Sequence, residues 1–141
     1  MYRSPYWPQA VSPAKHTIAI KTRNMVLPFN FFDLTIMTET EFLQMATELF
    51  DRIEAAVEEA DVGVDSERAG NVLTLEADSG EQVVVNLHAP TQQVWLASRQ
   101  GGLHFTMVDG QWSCTRNAAD FWTELSKAVS FIAEEQVLLT A

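Results

Sequence analysis

The residues of this chain with the numbers and spacing to do chemistry are carboxylates. Between positions 38 and 67 stand ten acids and one base, Arg52. Glu48, Asp51, Glu54 and Glu58 recur at intervals of three and four, which puts them on one face of a helix. Glu59, Asp61, Asp65 and Glu67 continue the run. Oxygen-only surface ligands suit hard cations such as Fe³⁺, Ca²⁺ and Mn²⁺, with Fe²⁺ at the borderline. Lacking imidazole or thiolate, such a ridge makes no closed cage. Its binding is expected to be weak, labile, spread over several sites and sensitive to salt. The plainer alternative is that the acids serve only solubility.

The other reactive types are scattered. His16, His88 and His104 lie far apart in sequence, and His104 alternates with Leu103 and Phe105 as a structural strand residue would. Cys114 is the one cysteine and sits beside Trp112, where a buried thiol is expected. No P-loop, dinucleotide glycine fingerprint, G-x-S-x-G elbow, H-E-x-x-H or EF-hand loop is present, and no nucleophile stands with a base. The residues therefore point to a binding protein and not to an enzyme.

A helix that carries like charges at i,i+4 loses a few tenths of a kcal/mol per pair. Here it must be held by its other face. From about Thr40 to Glu59, Phe42, Met45, Ala46, Leu49, Ile53, Ala56 and Val57 fall opposite the acids. Thr38 and Glu41 have capping-box spacing at its start. Short alternating segments follow, Val72–Ala77, Gln82–Leu87, Gln93–Ser98, Leu103–Val108 and Gln111–Cys114, separated by turn signals at Asp78-Ser79-Gly80, Gly101-Gly102 and Asp109-Gly110. A second helix is expected from near Asn117, its N-cap, to near Glu135, with Phe121, Leu125, Ala128, Val129 and Ile132 buried. The predicted fold class is α+β: a two-layer sandwich with two helices packed on one face of a five- to six-stranded antiparallel sheet. In Gln93–Ser98, Val94 and Leu96 then face the helices, leaving Gln93, Trp95 and Ala97 outward. An outward tryptophan reads either as a cross-strand contact or as a protein-docking anchor.

Charge divides the chain. Residues 1–36 hold four bases and one acid, whereas residues 37–141 hold five bases and 18 acids, a net −13. An acidic domain of this kind repels nucleic-acid phosphates and anionic lipid headgroups and attracts cations and basic protein surfaces. Neither nucleic acid nor membrane is expected as a partner, and no apolar run reaches the roughly 20 residues of a membrane helix. Four of the five prolines lie in residues 1–36, so this stretch is expected to be a disordered or mis-assigned N-terminal extension, with the folded domain spanning 37–141. A lone cysteine suits a reducing compartment, and the cytoplasm is the expected location.

The segment from Asn86 to Gly102, NLHAPTQQVWLASRQGG, resembles the signature of the bacterial frataxin family. That signature runs Asn, Pro, Gln, an aliphatic residue, Trp, Leu, a small residue and Gly. Leu103-His104-Phe105, Trp112, Phe121-Trp122 and the acidic first helix beginning Glu41-Phe42 fit it as well, so the likeness covers nearly all of 37–131. It implies an iron-binding protein that assists or regulates iron–sulfur cluster assembly. Iron (Fe²⁺ or Fe³⁺) would sit on a ridge of Glu54, Glu58, Glu59, Asp61 and Asp65. Asn86, Gln93 and Trp95 would form a docking face for a cysteine desulfurase and the iron–sulfur scaffold machinery. A monomer is expected, with iron-induced oligomers as the further possibility. Two departures from the pattern stand out: His88 stands where Gln is common, and Ala55 and Ala60 erode the ridge. The alternative from composition and element order is a small acidic α/β chaperone for secreted proteins, which would need an apolar dimer face.

Overall fold

The computed structural model describes residues 37–141, so the expectation for residues 1–36 lies outside the described residues. Helix α1 spans Glu39–Ala60. Six strands follow as a meander: β1 Val64–Ala69, β2 Val72–Ala77, β3 Gln82–His88, β4 Gln93–Ser98, β5 Gly101–Val108 and β6 Gln111–Cys114. Helix α2 spans Phe121–Ala133. Every strand pairs antiparallel with its sequence neighbour in the order β1-β2-β3-β4-β5-β6, leaving β1 and β6 as edges. This is the two-layer α+β sandwich that the periodicities predict.

One sheet face supplies the core. Leu73, Leu75, Val83, Val85, Val94, Leu96 and Phe105 are buried against Phe42, Ala46, Leu49, Phe50, Ile53 and Val57 of α1 and Phe121, Leu125, Val129 and Ile132 of α2. Each large side chain so buried contributes about 1.5–3 kcal/mol relative to exposure. Phe105 and Phe121 meet edge to face at 5.0 Å, and Phe42 meets Trp112 at 6.0 Å. Cys114 is buried, as its strand position suggests.

Several local details correct the sequence reading. Helix α2 begins at Phe121, not near Asn117. Asp120 is its N-cap and accepts from the Thr123 N–H at 3.0 Å. Asn117 instead closes a turn by accepting from the Ala119 N–H at 3.0 Å, with Ala118 at φ 61°. The β4–β5 turn is Arg99-Gln100, because Ser98 pairs with Gly101 and both glycines already belong to β5. Trp122 is half-buried and borders a groove with Met45, Leu49 and Trp112, whereas Phe121 is the residue wholly inside. A further strand, β1, forms from the acidic run after α1.

The C-terminal tail was not legible in advance. After α2 ends at Ala133 the chain turns back through Glu134 at φ 57° and lies along the helix. The Val137 N–H donates to Ser130 Oγ at 2.8 Å, and that hydroxyl donates to the Val137 carbonyl at 3.1 Å. Ser126 makes the same reciprocal pair with Leu139, at 2.8 and 3.2 Å. Val137 and Leu139 are thereby buried while Leu138 between them is exposed, the alternation of an extended strand. Ending the chain after Gln136 removes both anchors. It is expected to lower unfolding stability by about 2–4 kcal/mol. Urea denaturation of that truncation tests it, and an unchanged midpoint would show the tail to be ornamental.

Candidate functional site

The ridge begins where α1 ends. Its last turn contains no base, and Glu58 and Glu59 stand exposed there. Asp61 follows at φ 49°, a left-handed turn that aspartate tolerates, with its N–H reaching the Val57 carbonyl at 3.3 Å. A helix C-terminus carries partial negative charge, so carboxylates there add to an already unfavourable potential. Gly63, at φ 71°, completes the turn, and a side chain at that position would meet the Asp78 carboxylate at 3.4 Å. Asp65 then lies on β1 directly opposite Glu76 of β2, a like-charge cross-strand pair. The fold thus brings Glu58, Glu59 and Asp61 to one helix end, while Asp65 follows on the edge strand with its side chain on the sheet face away from the helices. Among the described residues no three His, Cys, Asp or Glu converge tightly enough to hold one metal ion.

Glu54 is differently placed. Strand alternation turns Val64, Ser66 and Arg68 of β1 toward the helices. Arg68 Nη2 contacts both Glu54 and Asp51, the latter at 2.6 Å, and Arg68 Nε reaches Glu54 Oε2 at 2.9 Å. The guanidinium also lies over the Phe50 ring at 5.3 Å. The hydrogen bond to Glu54 raises the Arg68 pKa above its ordinary value. Sequence analysis missed this residue because it stands one position past the acidic run. The available signal was its parity with Val64 on a strand whose inner face meets an acidic helix.

The second candidate surface is the open sheet face. Asn86 pairs with Trp95 across β3 and β4, and Trp95 pairs with His104 across β4 and β5. His88 and His104 stack on opposite sides of Trp95, each at 4.4 Å between centroids and within 20° of parallel. That spacing matches the distance between neighbouring strands, so the three rings stand upright on the sheet and present their edges. The Trp95 Nε1–H donates to Gln93 Oε1 at 3.0 Å. Gln93 shares the outer face but is only 2% exposed, contrary to the expectation that it stands in solvent, because the tryptophan and its neighbours cover it. His88 Nδ1 lies 2.8 Å from Thr91 Oγ1, which holds the imidazole upright.

Two helices on one face of a six-stranded antiparallel sheet, with an aromatic ladder on the other face, define a small domain of the α/β sandwich type. The comparisons with known proteins agree. A family model described as Frataxin-like domain matches residues 35–135. A protein of Vibrio cholerae named iron-sulfur cluster assembly protein CyaY is 42% identical over 101 residues, covering 72% of this chain and 97% of its own. One of the same name from Neisseria meningitidis is 42% identical over 102 residues, covering 72% and 95%. The frataxin structure from Psychromonas ingrahamii matches at TM-score 0.70 and 35% identity, covering 74% of this chain and all of that one. A trimeric yeast frataxin described as complexed with ferrous matches at TM-score 0.54 and 26% identity, covering 72% and 90%. The chain belongs to the frataxin family. Among the described residues no helix is long and apolar enough to cross a membrane.

The ladder carries a pH dependence. Burial lowers the His104 pKa, and Arg116 and His88 lower it further by opposing an imidazolium. The folded chain therefore holds His104 neutral to lower pH than the unfolded chain, whose histidines titrate near 6.5. Stability from this source is complete above about pH 6.5 and is lost as pH falls toward the depressed folded value. Unfolding free energies of the native protein and His104→Gln, measured between pH 7 and 5, are expected to diverge, with the native curve the steeper. Parallel curves would remove the assignment.

Proposed function

We propose that this protein is an iron–sulfur cluster assembly factor that carries iron as labile cargo on the acidic ridge and docks on a cysteine desulfurase. It acts by binding, without a catalytic residue of its own. The observation that carries the reading is the end of α1. There Glu58, Glu59 and Asp61 crowd a negative helix terminus that has no base in its last turn, and the exposed Asp65 follows four residues later on β1. Such an arrangement costs stability unless a cation or a basic surface answers it. Dispersed carboxylates suit a carrier, since an ion held by one or two exposed oxygens leaves as readily as it arrives. The names of the bacterial relatives support the assembly role, and the ferrous complex of the yeast homologue supports iron as the ion. The buried thiol of Cys114 suits the reducing cytoplasm as its location. The chain is proposed to be a monomer that forms oligomers with iron.

Charge reversal tests the ridge. Glu54 is left in place, because reversing it would set a lysine against Arg68. Replacing Glu58, Glu59 and Asp65 by Lys is expected to abolish most Fe²⁺ binding in anaerobic calorimetry. Melting should hold or rise, since lysines at the end of α1 contribute about 0.3–1 kcal/mol each. Unchanged iron stoichiometry in a folded triple variant would place the site elsewhere.

Docking is proposed to use both surfaces. The ridge sets the association rate and its salt dependence toward a basic patch. The upright edge of Trp95, with Asn86 and Gln93 around it, serves as the anchor. Trp95→Ala is expected to weaken desulfurase binding by roughly 2 kcal/mol or more. It should destabilise the fold less than Phe121→Ala, whose core cavity costs about 3–5 kcal/mol. If the folded fraction of Trp95→Ala binds the desulfurase with native affinity, the ladder serves the sheet alone.

A further inference from the structure

We propose that Arg68 is an internal counter-cation that withholds Asp51 and Glu54 from metal, confining cargo to the Glu58–Asp65 end of the ridge. The inference rests on the ridge reading and specifies which part of the ridge is open. Asp51, Glu54 and Glu58 lie at i, i+3 and i+7 of α1, so by position alone they form one continuous stripe. The structure divides that stripe. Arg68 enters from the inner face of β1 and engages both Asp51 and Glu54, with Nη2 on each and Nε also on Glu54 at 2.9 Å. Its plane is backed by the Phe50 ring at 5.3 Å, and Phe50 is itself buried in the core. Strand, ring and two carboxylates therefore fix the guanidinium from three sides. An arginine cannot vacate the position by losing its proton, because it stays charged across the working pH range.

A metal ion and a guanidinium compete for the same carboxylate oxygens. An ion that takes Glu54 must first separate it from Arg68 and leave that cation against the helix, where it repels the incoming charge. Glu58, Glu59, Asp61 and Asp65 are exposed and meet no such competitor among the ion pairs of the described residues. The two parts of the ridge should therefore differ in metal occupancy by more than their two and four carboxylates would give. Arg68 would act as a specificity-determining residue for the cargo: it limits how many ions the ridge holds and keeps them at the helix end.

Anaerobic Fe²⁺ titration of the full chain, read by calorimetry and by paramagnetic broadening of amide signals, tests this. In the native protein broadening should centre on Glu58–Asp65 and spare Asp51 and Glu54. Glu54→Gln should leave the apparent affinity within about twofold of native, a difference of under half a kcal/mol. Arg68→Met should extend broadening to Asp51 and Glu54 and raise the bound iron. Adding Glu54→Gln to Arg68→Met should abolish the gain, whereas Arg68→Lys should retain the native pattern. The inference is overturned if Glu54→Gln alone lowers native binding severalfold, or if folded Arg68→Met gains nothing. Should Arg68→Met fail to fold, Glu54→Gln in the native background still decides. Failure of the ridge reading looks different: the native chain would show no broadening at Glu58–Asp65. A gain at Asp51 and Glu54 in Arg68→Met would then uphold the inference separately.

Discussion

The sheet has two faces and two helices, and both helices lie on the same face. Everything functional in the chain depends on that asymmetry. Burying Leu73, Leu75, Val83, Val85, Val94, Leu96 and Phe105 under α1 and α2 supplies the apolar area that holds the domain. With the core complete on one side, the other face of β3, β4 and β5 is free to carry Asn86, Trp95 and His104. The same packing leaves β1 as an edge that follows directly on the end of α1, so that the acidic run passes from the helix end onto an edge strand. Natural sheets guard such edges with charge, and the carboxylates of β1 meet that need.

The acidic corner is maintained against its own electrostatics. Carboxylates at the end of α1 oppose the helix dipole, and Asp65 faces Glu76 across the β1–β2 pair. Nothing local offsets these terms. The stability that tolerates them comes from Phe42, Phe50 and Ile53 on the far side of the same helix and from the tail strapped to α2 by Ser126 and Ser130. Where the charge would be most concentrated, the chain supplies Arg68. An exposed pair of this type is worth little as a stabiliser, typically below 1 kcal/mol. Its consequence is to divide the ridge into a neutralised stretch and an open one.

Periodicity alone made the architecture legible. The buried faces of α1 and α2 match the i, i+3, i+4 reading at Phe42, Ala46, Leu49, Ile53, Val57, Phe121, Leu125, Val129 and Ile132, whereas Met45 and Ala56 are only half-buried and Phe50, outside the expected stripe, is buried. The Asp109-Gly110 hairpin forms with both residues at positive φ, as that dipeptide demands. What escaped has a common cause. The start of α2, the cover over Gln93, the partners of Arg68 and the docking of Val137 and Leu139 are all set by particular contacts that hydrophobic periodicity does not encode, whether two residues away, as Trp95 is from Gln93, or on another element. Asn117 and Asp120 are equally good caps in isolation, and the Ser113–Asp120 bridge selects between them. Ser126 and Ser130 look like surface residues of a helix until a returning strand meets them.

The two candidate surfaces make different demands on sequence, which bears on how the departures from the family pattern should be weighed. A ridge that holds cargo through scattered carboxylates depends on net charge and on which carboxylates are left open. Ala55 and Ala60 can therefore interrupt it without closing the site, while one arginine on the neighbouring strand reshapes it. The ladder depends on register. Trp95 stacks because His88 and His104 stand beside it on the adjoining strands, and its Nε1–H is directed by Gln93 two residues earlier on its own. His88 on β3 and His104 on β5 therefore leave the tryptophan ring sandwiched on both sides. The exposed surface becomes three parallel ring edges. A partner that packs on those edges meets a surface fixed by strand register, whereas one that meets the ridge answers to its charge.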